Sequence, residues 1–107
     1  MAKDAGYIYL TLRFAPEGDV WTAHCEELGT SAFGDDLDEA KEAIHEAIVL
    51  KLNALERNGA RKAFFAEHGI RVHRGARPAR PRAKEVAVRH GEVVSRVAAD
   101  LPVASTV

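Results

Sequence analysis

The fold is decided within the stretch WTAHCEELGTSAFGDDLDEA, residues 21–40, where the spacing of the apolar residues changes. Residues 20–25 form a β-prone run, and a shorter strand is predicted at 30–33, between Gly29 and Gly34. After these strands the apolar spacing changes from two residues to between three and four, which is typical of an amphipathic helix. The stretch therefore predicts two strands followed by a helix.

The helix has clear signals at both ends. Asp36 is placed as the N-cap with Glu39 three residues later, so that the two side chains can satisfy backbone N–H groups of the first turn. Gly59 lies where a glycine commonly ends a helix. Val49 and Leu50 are either scattered surface residues or part of a subunit contact. The other apolar residues fall on one stripe that would cover a sheet face: Leu37, Ala40, Ile44, Ala47, Ile48, Leu52 and Leu55.

Before this stretch, residues 7–14 alternate strictly between two kinds of side chain. One face carries Ile8, Leu10, Leu12 and Phe14, which is the pattern of a half-buried strand. Turn residues at 16–19 connect this strand to the next in a hairpin. The first three strands are thus predicted to form an antiparallel meander. The sheet face opposite the main helix would carry Tyr7, Tyr9 and Val20, and we expect the tail or a second subunit to cover it.

After the main helix, Arg61 to His68 is predicted to form a short helix, and Ile70 to His73 a brief strand that returns to the sheet edge. The prolines at 78 and 81 forbid helix and favour an extended linker. The β-branched residues beyond it predict strands, arranged as a hairpin around His90-Gly91 or as an arm exchanged between subunits. A helix from Glu92 to Asp100 is the competing interpretation.

These elements define the fold class and the organisation of the 107 residues. We predict an α+β fold, with a three-stranded antiparallel meander and a short fourth strand packed on one main helix. Residues 1–73 form the α+β domain, 74–84 a basic Arg/Pro linker, and 85–107 a β-rich C-terminal arm. The length leaves no room for a second domain of ordinary size.

The signature residues of this stretch resemble the HicB-like antitoxin family of bacterial type II toxin–antitoxin systems. The family pattern is an aromatic residue, Cys-Pro-x-Leu, a short strand, Gly-Asp-Thr and Leu-Glu-Glu-Ala. Here Glu26 replaces the proline and Asp36 replaces the threonine, while an aspartate caps a helix about as well as a threonine. The resemblance covers roughly residues 7–73, and its matching residues are Trp21, Cys25-Glu-Glu-Leu28, Gly34-Asp35-Asp36 and Leu37-Asp-Glu39-Ala40.

The resemblance implies a truncated ribonuclease-H-like fold without its catalytic carboxylates. It also implies a protein that self-associates and covers the active site of a small HicA-type ribonuclease. Glu26, Glu27 and Asp35 are the candidate toxin-binding residues. We expect a homo-oligomer, either a dimer or a dimer of dimers. An orphan homo-oligomer that has no toxin is an alternative.

The charge is divided unevenly between the two parts of the chain. Residues 1–67 carry a net charge of −6 and residues 68–107 a net charge of +5. An acidic body suits a basic ribonuclease, because opposite potentials favour encounter. The basic segment is a candidate polyanion-binding site, which leaves a nucleic-acid-binding regulator as the alternative function and DNA as a possible partner. Its residues are Arg74, Arg77, Arg80, Arg82 and Lys84.

Several classes of protein are disfavoured by the sequence. Val49 stands where the second histidine of a His-Glu-x-x-His zinc motif would be, and no phosphate-binding loop or nucleophile motif is present. The single cysteine, Cys25, excludes an internal disulfide and is predicted to be a buried structural residue. We therefore predict a protein that is not an enzyme and has no cofactor or metal. Residues 1–6 lack the apolar segment of a secretory signal, so we expect a cytoplasmic protein without membrane association.

Overall fold

The computed structural model describes residues 6–77, 84–87 and 91–102. These residues form an α+β fold, as predicted, with two helices and an antiparallel sheet. Neither helix in the described ranges has the length and apolarity needed to cross a bilayer. The elements in chain order are β1 (Gly6–Glu17), β2 (Val20–Cys25), β3 (Thr30–Gly34), α1 (Leu37–Arg57), α2 (Arg61–His68), β4 (His73–Arg74), β5 (Lys84–Ala87) and β6 (Val93–Asp100).

Strand β1 is the centre of the sheet, whose strand order is β3-β2-β1-β6-β5. One edge of β1 pairs with β6 from Tyr7 to Phe14. The other edge pairs with β2 from Leu12 to Glu17 and with β4 at Gly6 and Tyr7. The residues of β1 between β4 and β2 therefore have no strand partner on this second edge.

The core lies between α1 and one face of the sheet. The alternation in β1 is confirmed, because Ile8, Leu10, Leu12 and Phe14 are all buried. The predicted helix stripe is also confirmed: five of its residues are buried, and Leu37 and Ala47 pack against the same cluster in half-buried positions. Cys25 is fully buried in this core, and burial raises the pKa of its thiol. This environment agrees with the structural role predicted for Cys25.

The ends of α1 follow from its capping residues. The Glu39 backbone N–H donates to Asp36 Oδ1 at 2.8 Å, and Glu39 Oε1 accepts from the backbone N–H of Asp35 at 2.8 Å. The Glu39 side chain thus accepts from the backbone N–H of Asp35, and not from that of the N-cap residue Asp36 as predicted. Gly59 follows the C-cap Asn58 with a φ of 67°, a left-handed conformation that glycine adopts without strain.

The N-cap makes a testable contribution to stability. We expect Asp36→Ala to lower the free energy of unfolding by about 1 kcal/mol, because the Glu39 N–H loses its acceptor. Asp35→Ala is the matched control, since the neighbouring side chain is exposed and the backbone N–H bond to Glu39 is retained. Urea denaturation measures both changes. Equal stability of the two variants would show that the cap contributes nothing.

The end of the chain differs in detail from the sequence-based expectation. The fourth strand is His73–Arg74 instead of Ile70–His73, because the Ile70 N–H donates to Phe65 O at the end of α2 and its side chain packs on the core. The arm forms strands, and β5 pairs with β6 in antiparallel register. The helix alternative for residues 92–100 is therefore wrong. The predicted turn around His90-Gly91 cannot be followed through His90, because residues 88–90 lie outside the described residues.

The sheet face opposite α1 carries the tyrosines of β1. The Tyr7 ring stacks on His73 with centroids 5.2 Å apart, and Tyr9 meets the His73 ring edge-on at 5.2 Å. The Arg96 guanidinium lies over the Tyr9 ring at 5.5 Å. Residues of β4 and β6 thus half-bury the two tyrosines that the sequence left without a cover.

Candidate protein-binding site

The exposed side of α1 carries a row of carboxylates. Asp38, Glu42 and Glu46 are spaced four residues apart and are all exposed, so they lie next to one another along one side of the helix. Leu50 follows at the same spacing, with 68% of its surface exposed. We call the four residues Asp38, Glu42, Glu46 and Leu50 the acidic row.

Helix stability does not explain the acidic row. Like charges four residues apart destabilise a helix by about 0.2–0.5 kcal/mol per pair. Asp38 gains from the positive end of the helix dipole, but that effect fades beyond the first turn and does not reach Glu46. The capping contacts use Asp36 and Glu39, which do not belong to the row. A row of like charges that ends in an exposed leucine is suited to a basic partner, whose positive charges would lower the repulsion.

Two of the predicted toxin-binding residues, Glu26 and Glu27, have partners within the chain. Glu26 forms an exposed ion pair with Arg13. Glu27 accepts from the Thr11 backbone N–H at 2.6 Å and from Thr11 Oγ1 at 2.9 Å. Arg96 donates to Thr11 Oγ1 at 3.0 Å and lies 3.9 Å from Glu27 Oε2. Glu27 therefore fills the unpaired edge of β1 between β2 and β4, which is a structural role.

Asp35, the third predicted toxin-binding residue, lies two residues before α1, next to the N-cap Asp36. Its backbone N–H takes part in the cap through Glu39, whereas its side chain is exposed three residues before Asp38, the first residue of the acidic row. Asp35 can therefore extend the negative surface of the row. The structure thus places only one of the three candidates beside the acidic row.

The predicted polyanion-binding residues are not all free. Arg74 lies in β4 and is exposed. Arg77 Nε lies 3.3 Å from Asp100 Oδ2, and its Nη1 donates to the Ala98 carbonyl at 3.4 Å. Lys84 is a residue of strand β5, while Arg80 and Arg82 lie outside the described residues. Arg77 thus contacts the protein's own strand β6.

Sequence reasoning missed Glu42, Glu46 and Leu50. The signal was the spacing of four residues, which the sequence shows directly. Capping accounts for the acidic residues near Asp36, but it does not extend to the two glutamates further along the helix. Thr11 and Arg96 were also missed, because their contacts with Glu27 join distant parts of the chain.

Comparisons with family models, with curated proteins and with solved structures found no match. Across the described ranges, the structure holds no group of three His, Cys, Asp or Glu residues arranged to bind a metal ion.

Proposed function

We propose that this chain is a HicB-like antitoxin, or a protein derived from one, that acts by binding and not by catalysis. Its target is a small basic ribonuclease of the HicA type. The element order β1-β2-β3-α1-α2-β4 supports the proposal, because it contains the three strands, main helix and fourth strand that we expect from the sequence, with the short helix α2 before β4. The finer assignment, a truncated ribonuclease-H-like fold, belongs to the same proposal.

The observation that carries the proposal is the acidic row. A toxin that binds RNA needs a cationic surface around its active site, since the phosphate backbone is anionic. Asp38, Glu42 and Glu46 present three carboxylates in line to such a surface, and Leu50 adds an apolar contact at one end. A complex of this kind would neutralise the cationic surface of the toxin and sterically exclude RNA from its active site.

A direct test is capture of the product of a neighbouring small open reading frame. We expect the purified chain to bind this product, with an affinity that falls as salt screens the charges. The triple variant D38N/E42Q/E46Q should weaken binding about tenfold or more, which is about 1.4 kcal/mol. The substitutions remove repulsion between neighbours on the helix, which offsets the favourable dipole interaction that D38N loses, and circular dichroism checks that α1 stays folded.

The control is E17Q/D19N/E67Q, which makes the same change of net charge at exposed positions outside α1. This variant should keep the affinity of the unmodified chain apart from a small long-range effect. If both triple variants weakened binding equally, the effect would come from net charge alone, and the acidic row would not be the binding surface. Failure of the unmodified chain to bind the neighbouring product would contradict the antitoxin proposal itself.

A further inference from the structure

Helix α1 lies over only one side of the sheet. It packs mainly against β3 and β2, whereas β6 and β5 extend the sheet on the other side of β1. Beside the helix, a groove of about 480 Å³ follows the core-facing side of β1 and β6. Sites for small molecules have volumes of about 300–1,000 Å³, so the groove is large enough to hold one.

The groove is elongated, and its lining is mainly aliphatic. On β1 it extends from Leu10 to Phe14, which is about 13 Å for a strand. Its aliphatic lining residues include Leu10, Leu12, Ile48, Val49, Leu52 and Val97. Val49 on the helix side is 42% exposed and Val97 on the floor is half-buried, so a ligand can bury both side chains further. Such a surface suits an extended hydrocarbon chain.

One polar side chain interrupts the aliphatic floor. Ser95 pairs with the buried Leu12 in the register of β1 and β6, so both side chains lie on the core-facing side. Ser95 lines the groove with only 4% of its surface exposed. Its hydroxyl makes no hydrogen bond within the described ranges of the chain. Because a hydroxyl in an apolar environment is costly without a partner, Ser95 is a contact point for a polar atom of a ligand.

The depth of Ser95 selects a slender occupant. A helix or a sheet that rested on the rim would cover Val49 but would leave the hydroxyl at the floor without a partner. A narrow head group can reach this hydroxyl, which both donates and accepts and therefore requires an oxygen atom but no charge. The charged residues at the rim do not enter this choice, because Arg77 is paired with Asp100 and Lys41 is not free.

We propose that the groove binds one single-chain aliphatic amphiphile, a medium-chain fatty acid or fatty alcohol. An oxygen atom of the head group contacts the Ser95 hydroxyl, and the hydrocarbon chain lies along Val97 and Val49. The chemistry that the two sources share is an extended hydrocarbon chain with an oxygen-bearing end. The proposal does not rest on the antitoxin function, and the four described residues of the acidic row do not line the groove.

Isothermal titration calorimetry tests the proposal with decanoate and decan-1-ol, each below the concentration at which it forms aggregates. We expect one binding site per chain. In the series dodecanoate, decanoate and octanoate, the affinity should fall about fourfold for each methylene group removed, because each one buries less aliphatic surface. Tighter binding of the acid or of the alcohol identifies which of the two head groups the site prefers, and both results support the proposal.

Two pairs of variants locate the site, with decan-1-ol as the probe so that a change of charge does not act on a charged ligand. Ser95→Ala should weaken binding about tenfold, because the head group loses its hydrogen bond. Ser31→Ala, at an exposed position outside the groove, should bind as the unmodified chain does. Val49→Asp should also weaken binding tenfold or more, whereas Leu50→Asp, the same kind of change one residue later and outside the groove, should not.

Circular dichroism shows whether each variant is folded, and Ser95→Ala is the conservative one, because it removes a hydroxyl that has no partner in the described residues. Failure of the unmodified chain to bind any of these probes would overturn the proposal. If that chain were also a dimer by light scattering, a second copy would be the occupant instead. Folded S95A and V49D variants that bind decan-1-ol as tightly as the unmodified chain would also overturn the proposal, since binding would then be adsorption elsewhere on the surface.

Discussion

Gly34→Ala is expected to lower the free energy of unfolding by about 3 kcal/mol, at the upper end of the usual cost of overpacking. A Cβ atom at residue 34 would lie 2.5 Å from the Ala40 backbone nitrogen and 2.6 Å from the Glu39 carbonyl carbon. Both atoms belong to the first turns of α1, so they cannot yield as the end of a flexible side chain would. The helix must move off β3, which opens the core at Ala40. Urea denaturation measures the loss.

The control for this prediction is Gly29→Ala. Gly29 has a φ of 72°, but an added Cβ there meets no atom within 4 Å. The cost is therefore the conformational one alone, about 1–2 kcal/mol. If Gly34→Ala were no more destabilising than Gly29→Ala, the close approach of β3 to α1 would be wrong.

Glu27→Gln is expected to cost about 2 kcal/mol of stability. The carboxylate accepts two hydrogen bonds from Thr11 and lies close to Arg96, whereas an amide has one oxygen and no charge. Hydrogen bonds to charged groups contribute about 1.5–3 kcal/mol, and the Thr11 N–H has no strand partner to replace them. Thermal unfolding and urea denaturation both report this loss.

Glu26→Gln is the matched control, being the same substitution one residue earlier. Its ion pair with Arg13 is exposed, with about half of the arginine side chain and 40% of the glutamate accessible, so removal of the charge should change stability by no more than about 1 kcal/mol. Similar losses in the two variants would mean that Glu27 does not complete the edge of β1. If the Glu27→Gln variant were as stable as the unmodified chain, Glu27 would again be a candidate for toxin binding.

The parts of the fold that could be predicted are those governed by local pattern. The alternation from Ile8 to Phe14 identifies a strand, and the Asp36 cap with the apolar stripe identifies α1, because both follow from spacing within a few residues. The β-branched residues of the last segment likewise identify β6.

The contacts that could not be predicted join residues distant in the chain. The local sequence around Val93 does not indicate that β6 pairs with β1 instead of with a second subunit. The local sequence around Glu27 does not indicate that its carboxylate accepts hydrogen bonds from Thr11. The sequence of the basic segment likewise contains no sign that Arg77 contacts Asp100 and Ala98 in β6. These choices depend on tertiary geometry, which periodicity does not contain.

The acidic row is a different case. Its residues are readable from the sequence, and only their exposure and their position on α1 required the structure. Carboxylates spaced four residues apart beyond the first turn destabilise a predicted helix, so this pattern can be searched for in a sequence before a structure is known.

The most direct test of the antitoxin account is a titration of ribonuclease activity. A fluorogenic RNA reports the activity of the neighbouring small gene product as this chain is added. The account predicts that activity falls to background near one chain per ribonuclease, and that D38N/E42Q/E46Q needs about tenfold more protein while E17Q/D19N/E67Q does not. Ribonuclease activity that persists at a large excess of the chain, or that is inhibited equally well by D38N/E42Q/E46Q, would contradict the account.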